Sequence, residues 1–230
     1  MSGLRVAVPK GAIFAEALAA LERAGLPAAV VRENGRRLVY RAEGTEFIVS
    51  RPSDVPVFVE YGAADIGIVG KDVLDEQRPN VVELKDLGTG RCRMILAAPE
   101  GRAEDVRRAI RHAEVVRVAT KFPDTARRYF ERMGRQAEVI ELHGSIELAP
   151  LVGLAECIID LTATGTTLRE NDLVVLDEIS TSTARLISNR GSYRLRHSEV
   201  VALADVVDVL APFPHLGGIA AGYLYLKSGR

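Results

Sequence analysis

Tryptophan is absent from this sequence, and only two of its 230 residues are cysteines. Cys92 and Cys157 both lie in apolar runs typical of strands, so we expect reduced core thiols rather than a disulfide or a metal pair. The four histidines are scattered and have no spacing typical of metal ligands. These shortages argue against a disulfide scaffold and against a thiol–imidazole metal centre.

The sequence also lacks an excess of one charge and any long apolar run. The formal net charge is −1, so no overall field attracts the chain to nucleic acid or to a membrane surface. No apolar run approaches the roughly 20 residues that span a bilayer, and the N-terminus enters a strand pattern without a signal peptide. With 47% hydrophobic and 27% charged residues, the composition is typical of a soluble globular protein, and we expect it in the cytoplasm.

What the sequence does contain is a regular alternation of strand and helix patterns. Short apolar runs near 4–8, 64–69, 115–119 and 155–160 are each followed by a turn and then by helical spacing. This alternation predicts βαβ units and mainly parallel sheets. The patterns also predict a strand at 28–32, a hairpin at 37–49 that turns at 43–44, and a last helix at 197–210.

The length favours two α/β lobes over one large sheet. We expect the chain to cross between lobes near 88–94 and 176–182. Lobe I then comprises residues 1–90 plus about 180–230, and lobe II comprises residues 91–179. Ligands of open α/β sheets bind outside the carboxyl ends of strands, which places the predicted site in the cleft between the lobes.

The most informative stretch is CIIDLTATGTTL, residues 157–168. An apolar strand ends at Asp160 and runs into a turn rich in threonine, and a helix pattern follows. Backbone amides, hydroxyls and a helix N-terminus together favour phosphate, and Gly165 allows the backbone to come close. The acid before the turn suits hydrogen bonds to sugar hydroxyls. The alternative is an ordinary Thr-capped turn with no ligand.

Cations follow several of the predicted strands. Only five of the 30 basic residues are lysines, and Lys10, Lys71 and Lys121 each follow a strand in a Pro or Gly turn. Lys10 is well placed for a diphosphate, although a solvated turn lysine is the alternative. Lys71 and Lys121 oppose the dipole of the helix that follows, and a bound anion would remove this conflict.

Four other charged positions are candidates with clear alternatives. Arg51, before Pro52, offers a bidentate fork to a phosphate or forms a surface salt bridge. Arg36 and Arg37 are weaker candidates for the same role. Glu147 opens the helix before the threonine turn, where an acid is also favourable without any ligand.

The order of residues does not indicate a Ser–His–Asp or Cys–His set for nucleophilic catalysis. It also does not indicate the two spaced carboxylates of glycoside hydrolysis. A reaction whose chemistry lies in the leaving group of the substrate fits this absence. Transfer from a sugar that carries a diphosphate is such a reaction, in which Mg²⁺ and basic groups stabilise the departing charge.

Several stretches, in the right order, resemble the ATP phosphoribosyltransferase family. The segment 147–168 is similar to the family signature, and its core resembles the phosphoribosyl-pyrophosphate loop of other phosphoribosyltransferases. The resemblance extends over residues 4–208. It includes VPKG at 8–11, RPSDVP at 51–56, ADIGIVGKDVL at 64–74 and VATKFP at 118–123.

The resemblance implies the reaction and its fold. N1 of the ATP adenine would attack C1 of the ribose of phosphoribosyl pyrophosphate, with inversion, to give phosphoribosyl-ATP and pyrophosphate, the first step of histidine biosynthesis. Mg²⁺ would be carried by the substrate pyrophosphate, and no protein ligand to it is assigned. The fold would be two lobes resembling type II periplasmic binding proteins, with the site between them.

The resemblance also implies roles for individual residues. Lys10, Arg51 and Arg36 would be the catalytic cations that face the pyrophosphate or the ATP phosphates, and Gly11, Lys71 and Lys121 would be further phosphate contacts. The residues that would hold phosphoribosyl pyrophosphate are Glu147, Asp160, Thr162, Ala163, Thr164, Gly165, Thr166 and Thr167.

Two departures from the family pattern affect these expectations. Ala12 stands where the family usually has arginine, so that phosphate contact is absent or is moved to Arg36 or Arg37. The sequence ends at Arg230 without room for the regulatory domain of the long form, so we expect the short form. That form works with a regulatory subunit resembling histidyl-tRNA synthetase, with a homodimer inside a larger hetero-oligomer. The tail 212–230 matches nothing we can assign.

Two other function classes stay open at this point. The lobe pattern favours a two-lobed solute-binding or effector-sensing module. The missing secretion signal and the missing DNA-binding segment argue against it. A phosphoribosyltransferase that uses another base fits the threonine turn equally well, and competition with ATP would separate it from the first hypothesis.

Overall fold

The structure, a computed structural model, describes residues 3–33 and 37–209. Eleven strands and ten helices lie within these residues. The strands are β1 (Arg5–Pro9), β2 (Val39–Ala42), β3 (Thr45–Ser50), β4 (Ile66–Gly70), β5 (Val82–Asp86), β6 (Cys92–Pro99), β7 (Val116–Thr120), β8 (Ala137–Glu141), β9 (Cys157–Thr162), β10 (Leu173–Ser182) and β11 (Ala184–Ser188). The helices are α1 (Phe14–Arg23), α2 (Ala29–Glu33), α3 (Val55–Glu60), α4 (Lys71–Gln77), α5 (Ala103–Arg111), α6 (Pro123–Arg132), α7 (Leu148–Leu151), α8 (Thr166–Glu170), α9 (Arg190–Leu195) and α10 (His197–Val209).

The strands form two separate sheets. The first has the order β2-β3-β1-β4-β11-β5, and the second has the order β10-β6-β9-β7-β8. In the first sheet β1 pairs in parallel with β3 and β4. In the second sheet β7 pairs in parallel with β8 and β9. Each sheet therefore contains a group of three parallel strands that end at one common edge.

Both sheets are mixed, with more antiparallel pairing than the alternating pattern predicts. The strand β11 runs antiparallel to β4 and β5, and β6 runs antiparallel to β9 and β10. These strands carry the chain from one sheet to the other. Only Thr183 separates β10 of the second sheet from β11 of the first. The chain therefore passes between the sheets through two successive strands and not through a loop.

Apolar clusters cover both faces of each sheet. The helices α1 and α10 pack on one face of the first sheet, and α3 and α4 pack on the other. The helices α5 and α6 pack on one face of the second sheet, and α7 and α8 on the other. The parallel strands β1, β4 and β7 are covered on both faces, so their residues form almost continuous buried runs. Among the described residues, no helix has the length and apolar content required to cross a membrane.

The local predictions are mostly confirmed, with one error. The hairpin turns at Glu43 and Gly44, which both have positive φ, and the last helix begins at His197. The run predicted as a strand at 28–32 is instead the helix α2, which Val31 anchors by burial against the first sheet. The run at 28–32 consists of two alanines, two valines and Arg32. It fits either structure, so tertiary packing decides between them.

The predicted division into lobes follows sheet membership only in part. The first sheet uses β1 to β5 together with β11, and the second uses β6 to β10. The division of the whole chain at residues near 90 and 180 stays a prediction. The tail 212–230 lies outside the described residues.

A carboxylate joins a helix of the first sheet to a helix of the second. Both oxygens of Glu76 in α4 accept hydrogen bonds from the first-turn amides of α6, from Asp124 N at 2.8 Å and Thr125 N at 2.9 Å. The Arg128 guanidinium also donates to the Asp75 carbonyl oxygen at 2.7 Å. An acid that accepts from a helix N-terminus is favourable for the helix dipole, and here the acid comes from the other sheet.

We predict that Glu76→Ala lowers the free energy of unfolding by about 1–2 kcal/mol, because two helix-capping hydrogen bonds are lost. Urea denaturation measures this change. The control is Glu114→Ala, an exposed loop residue, for which we expect a change below about 0.5 kcal/mol. Equal small changes in both variants would show that the cap does not hold the two sheets together.

Candidate functional site

Three of the predicted cations lie at one edge of the first sheet. Lys10 and Arg51 follow Pro9 and Ser50, which are register partners in β1 and β3, and the Lys10 amide donates to the Ser50 carbonyl at 2.8 Å. Lys71 follows β4, the parallel neighbour of β1 on its other side. We call this edge the first rim, defined by Lys10, Arg51 and Lys71.

The cations of the first rim differ in how they are paired. Lys71 donates to Glu83 at 2.7 Å and lies 3.3 Å from Asp75. Although burial works in the other direction, these carboxylates hold the pKa of Lys71 above its usual value. They also relieve the predicted conflict with the helix dipole. Within the described residues, Arg51 is exposed and forms no ion pair.

A cavity of about 330 Å³ opens beside Lys10. Its wall combines three basic side chains with apolar and aromatic ones. The backbone of Gly11, which has a left-handed φ of +87°, also lines it. The lining residues are Lys10, Gly11, Phe14, Val31, Arg32, Arg37, Tyr40 and Val49. The structure thus brings Arg37 to Lys10, whereas Arg36 lies outside the described residues. The exposed side chain of Ala12 supplies no charge there.

The other predicted residues meet at one edge of the second sheet, which we call the second rim. It is defined by Lys121, Glu147 and residues 160–167. Thr120 of β7 and Ile159 of β9 are register partners, so Lys121 and Asp160 are neighbours at the ends of parallel strands. The strand β9 extends to Thr162, two residues further than predicted, and Asp160 therefore lies within it.

The charge of Asp160 depends on its neighbours in the second rim. Burial raises the pKa of Asp160, and the negative charge of Glu147 acts in the same direction. The Leu161 amide, which donates at 2.8 Å, and the positive charge of Lys121 act against this rise. The structure thus brings Asp160, Lys121 and Glu147 together as one electrostatic group.

The threonine turn is held by hydrogen bonds within itself. Gly165 has φ +73° and ψ 8° at the start of α8, and its amide donates to Thr162 Oγ1 at 2.9 Å. The hydroxyls of Thr164 and Thr166 lie 3.0 Å apart. The first amides of a helix have no partner within the helix. This geometry offers amides and hydroxyls to an anion.

Two residues beyond the turn, which the sequence did not indicate, also hold it. The Arg169 guanidinium donates to the Thr164 carbonyl and to Thr166 Oγ1, each at 3.1 Å. The Asn171 side chain donates to the Thr167 carbonyl at 2.8 Å. Their positions one turn after the threonines are the only signal that could have found them.

The Glu76 contact connects the helices that follow the two rims. The helix α4 begins at Lys71 of the first rim, and Glu76 on this helix binds the first turn of α6, three and four residues after Lys121 of the second rim. A cavity of about 600 Å³ lies between α4, α6 and β10. None of the predicted site residues lines it.

The chain is similar to known proteins over most of its length. Residues 51–209 match the family described as HisG, ATP phosphoribosyltransferase. The chain is 80% identical over 203 residues to the ATP phosphoribosyltransferase of Rubrobacter xylanophilus. The aligned region covers 88% of this chain and 94% of that protein. The chain is 48% identical over 208 residues to the ATP phosphoribosyltransferase of Moorella thermoacetica, with 89% and 91% covered.

Solved structures agree with the fold. A chain of the ATP phosphoribosyl transferase (HisG:HisZ) complex from Thermotoga maritima has 35% identity and a TM-score of 0.75, with 90% of this chain and 99% of that chain covered. The periplasmic aliphatic sulphonate binding protein SsuA from Escherichia coli has 11% identity and a TM-score of 0.57, with 91% and 74% covered. The second likeness concerns the fold alone, and it confirms the predicted resemblance to periplasmic binding proteins.

We predict that Gly165→Ala lowers the free energy of unfolding by about 1–2 kcal/mol, because a left-handed φ is unfavourable for any residue with a Cβ. The added Cβ would also lie 3.3 Å from an Arg169 nitrogen. The control is Gly101→Ala, at a residue with ordinary φ and open space around it. Urea denaturation of both variants measures the difference, and a stable Gly165→Ala protein would contradict the geometry of the turn.

Proposed function

This chain belongs to the ATP phosphoribosyltransferase family, and we propose that the two rims bind the two substrates of its reaction. The enzyme catalyses the first step of histidine biosynthesis. It transfers the phosphoribosyl group of phosphoribosyl pyrophosphate to N1 of the ATP adenine, giving phosphoribosyl-ATP and pyrophosphate. What we add is which residues perform each part of this transfer.

The second rim binds the sugar donor in this proposal. The observation that carries it is the turn at 162–167, where a left-handed Gly165, the hydroxyls of Thr164 and Thr166 and the first amides of α8 lie together. These groups are donors, as the oxygens of a 5′-phosphate require. Ala163 and Thr167, both exposed, add further backbone and hydroxyl donors.

The carboxylates of the second rim suit the ribose. Asp160 and Glu147 interact electrostatically. A carboxylate accepts hydrogen bonds from hydroxyl groups such as those of the ribose, and no cation is needed between them. Lys121 lies at the same edge, where its positive charge is available to the phosphate oxygens of the donor.

The first rim binds ATP and the departing pyrophosphate in this proposal. The cavity beside Lys10 has apolar and aromatic walls for a base and basic groups for phosphates. Arg51 has no carboxylate partner among the described residues, so its full charge is available to an anion. Arg37 replaces the charge that Ala12 lacks. Lys71 contributes less, because Glu83 and Asp75 already pair with it.

The transfer then needs no acid or base from the protein. The lone pair of adenine N1 forms the new bond to C1 while the bond from C1 to the pyrophosphate oxygen breaks, and the electron pair leaves on pyrophosphate. Lys10 and Arg51 stabilise the charge that develops there. Mg²⁺ enters with the pyrophosphate of the donor and neutralises part of that charge.

We further propose that the enzyme acts in the cytoplasm with a regulatory subunit. The similarity to a chain of a HisG:HisZ complex, 99% of which is covered by this chain, supports the short form and a second type of subunit. A homodimer within a larger hetero-oligomer stays our expectation. Release of pyrophosphate from ATP, phosphoribosyl pyrophosphate and Mg²⁺, measured with and without that subunit, tests this part of the proposal.

We predict that Thr166→Val and Thr167→Val each weaken the binding of phosphoribosyl pyrophosphate by about 1–3 kcal/mol, because a hydrogen bond to a charged phosphate is lost. Isothermal calorimetry measures the affinity. The control is Thr181→Val, an exposed position on β10, which should leave the affinity unchanged. Unchanged affinity in both turn variants would refute the assignment of the turn to the donor.

A further inference from the structure

The threonine turn contains no lysine or arginine of its own, yet the fold brings one guanidinium to it. Arg169 lies in α8, one helical turn after Thr166. Its Nη1 donates to the Thr164 carbonyl and its Nη2 donates to Thr166 Oγ1, each at 3.1 Å. One side chain thus holds both the backbone and a hydroxyl of the turn.

The hydrogen bonds of the turn leave one hydroxyl proton for a ligand. A guanidinium only donates, so Thr166 Oγ1 accepts from Arg169. Thr164 Oγ1 accepts from the Thr166 amide at 3.4 Å. The bond between the two hydroxyls at 3.0 Å uses one of their two protons. The other proton has no acceptor in this network and is available to an anion.

The charge of Arg169 is also available. Among the residues that the structure describes, no carboxylate lies within ion-pair distance of its guanidinium, and the side chain is exposed. Arg108 in α5, for comparison, is paired with Asp105 at 2.6 Å. Arg169 thus keeps its charge for a ligand beside the free hydroxyl proton of the turn.

We propose that Arg169 is a positioning residue for the phosphate monoester of the sugar donor. It holds Thr166 Oγ1 so that the one free hydroxyl proton of the Thr164–Thr166 pair is available to the ligand, and it adds a positive charge beside this pair. This inference rests on the proposed function, since it assumes that the turn binds the donor.

The test compares Arg169→Gln, Arg169→Lys and the control Arg108→Gln in steady-state kinetics. Arg169→Gln should raise KM for phosphoribosyl pyrophosphate about tenfold, because a charged donor is lost, while KM for ATP and kcat stay within about twofold of wild type. Arg169→Lys should have an intermediate KM, since lysine keeps the charge but loses the fork. Arg108→Gln should have wild-type values.

A double-mutant cycle separates this inference from the proposed function. If Arg169 acts through the hydroxyl, Thr166→Val should raise KM for phosphoribosyl pyrophosphate less in the Arg169→Gln background than in wild type. If Thr166→Val raises this KM and Arg169→Gln does not, the role of Arg169 is refuted and the donor site stands. If neither variant changes it, both fail. Equal losses in kcat and in both KM values, with a lower unfolding midpoint, would show that Arg169 only supports the fold and would also refute its role.

Discussion

The hydrogen bond from the Gly165 amide to Thr162 Oγ1 is the contact on which the geometry of the threonine turn depends. It closes the turn between β9 and α8, and it requires a left-handed residue at 165. With the turn closed, the hydroxyls of Thr164 and Thr166 meet, and the start of α8 points its amides to the same place. Without it, the same threonines would be separate side chains on a loop.

The sheets place this turn next to the remaining charges. Parallel strands end at a common edge, so residues far apart in sequence, such as Lys121 and Asp160, become neighbours. The same rule places Lys10 beside Arg51 at the other sheet. The Glu76 carboxylate then ties the helix that starts at one edge to the helix that starts at the other. A transfer between two substrates needs such an arrangement, because its rate depends on holding both in one geometry.

Residues 157–168 and the cations after strands could be predicted because their signals are local. An apolar strand, a Gly-Thr turn and a helix start lie within twelve residues, and each follows from the residue types alone. The helix α2 was mistaken for a strand, since its short apolar run fits both patterns and burial of Val31 decides the outcome. The sequence does not indicate which sheet a crossing strand joins. The alternating pattern therefore predicts less antiparallel pairing than β10 and β11 form. Arg169 and Glu76 could not be found, since each acts through a side-chain conformation or a contact between distant helices. The pairing of Lys71 with Glu83 depends in the same way on β5 lying nearby.

The central claim is that the threonine turn, and no other part of the rims, holds the phosphate of the sugar donor. A crystal structure of the protein with phosphoribosyl pyrophosphate and Mg²⁺ tests it most directly. We expect the 5′-phosphate within hydrogen-bond distance of the backbone amides and hydroxyls of residues 163–167, with the ribose towards Asp160. Density for that phosphate in the cavity beside Lys10, or anywhere away from this turn, would contradict the account.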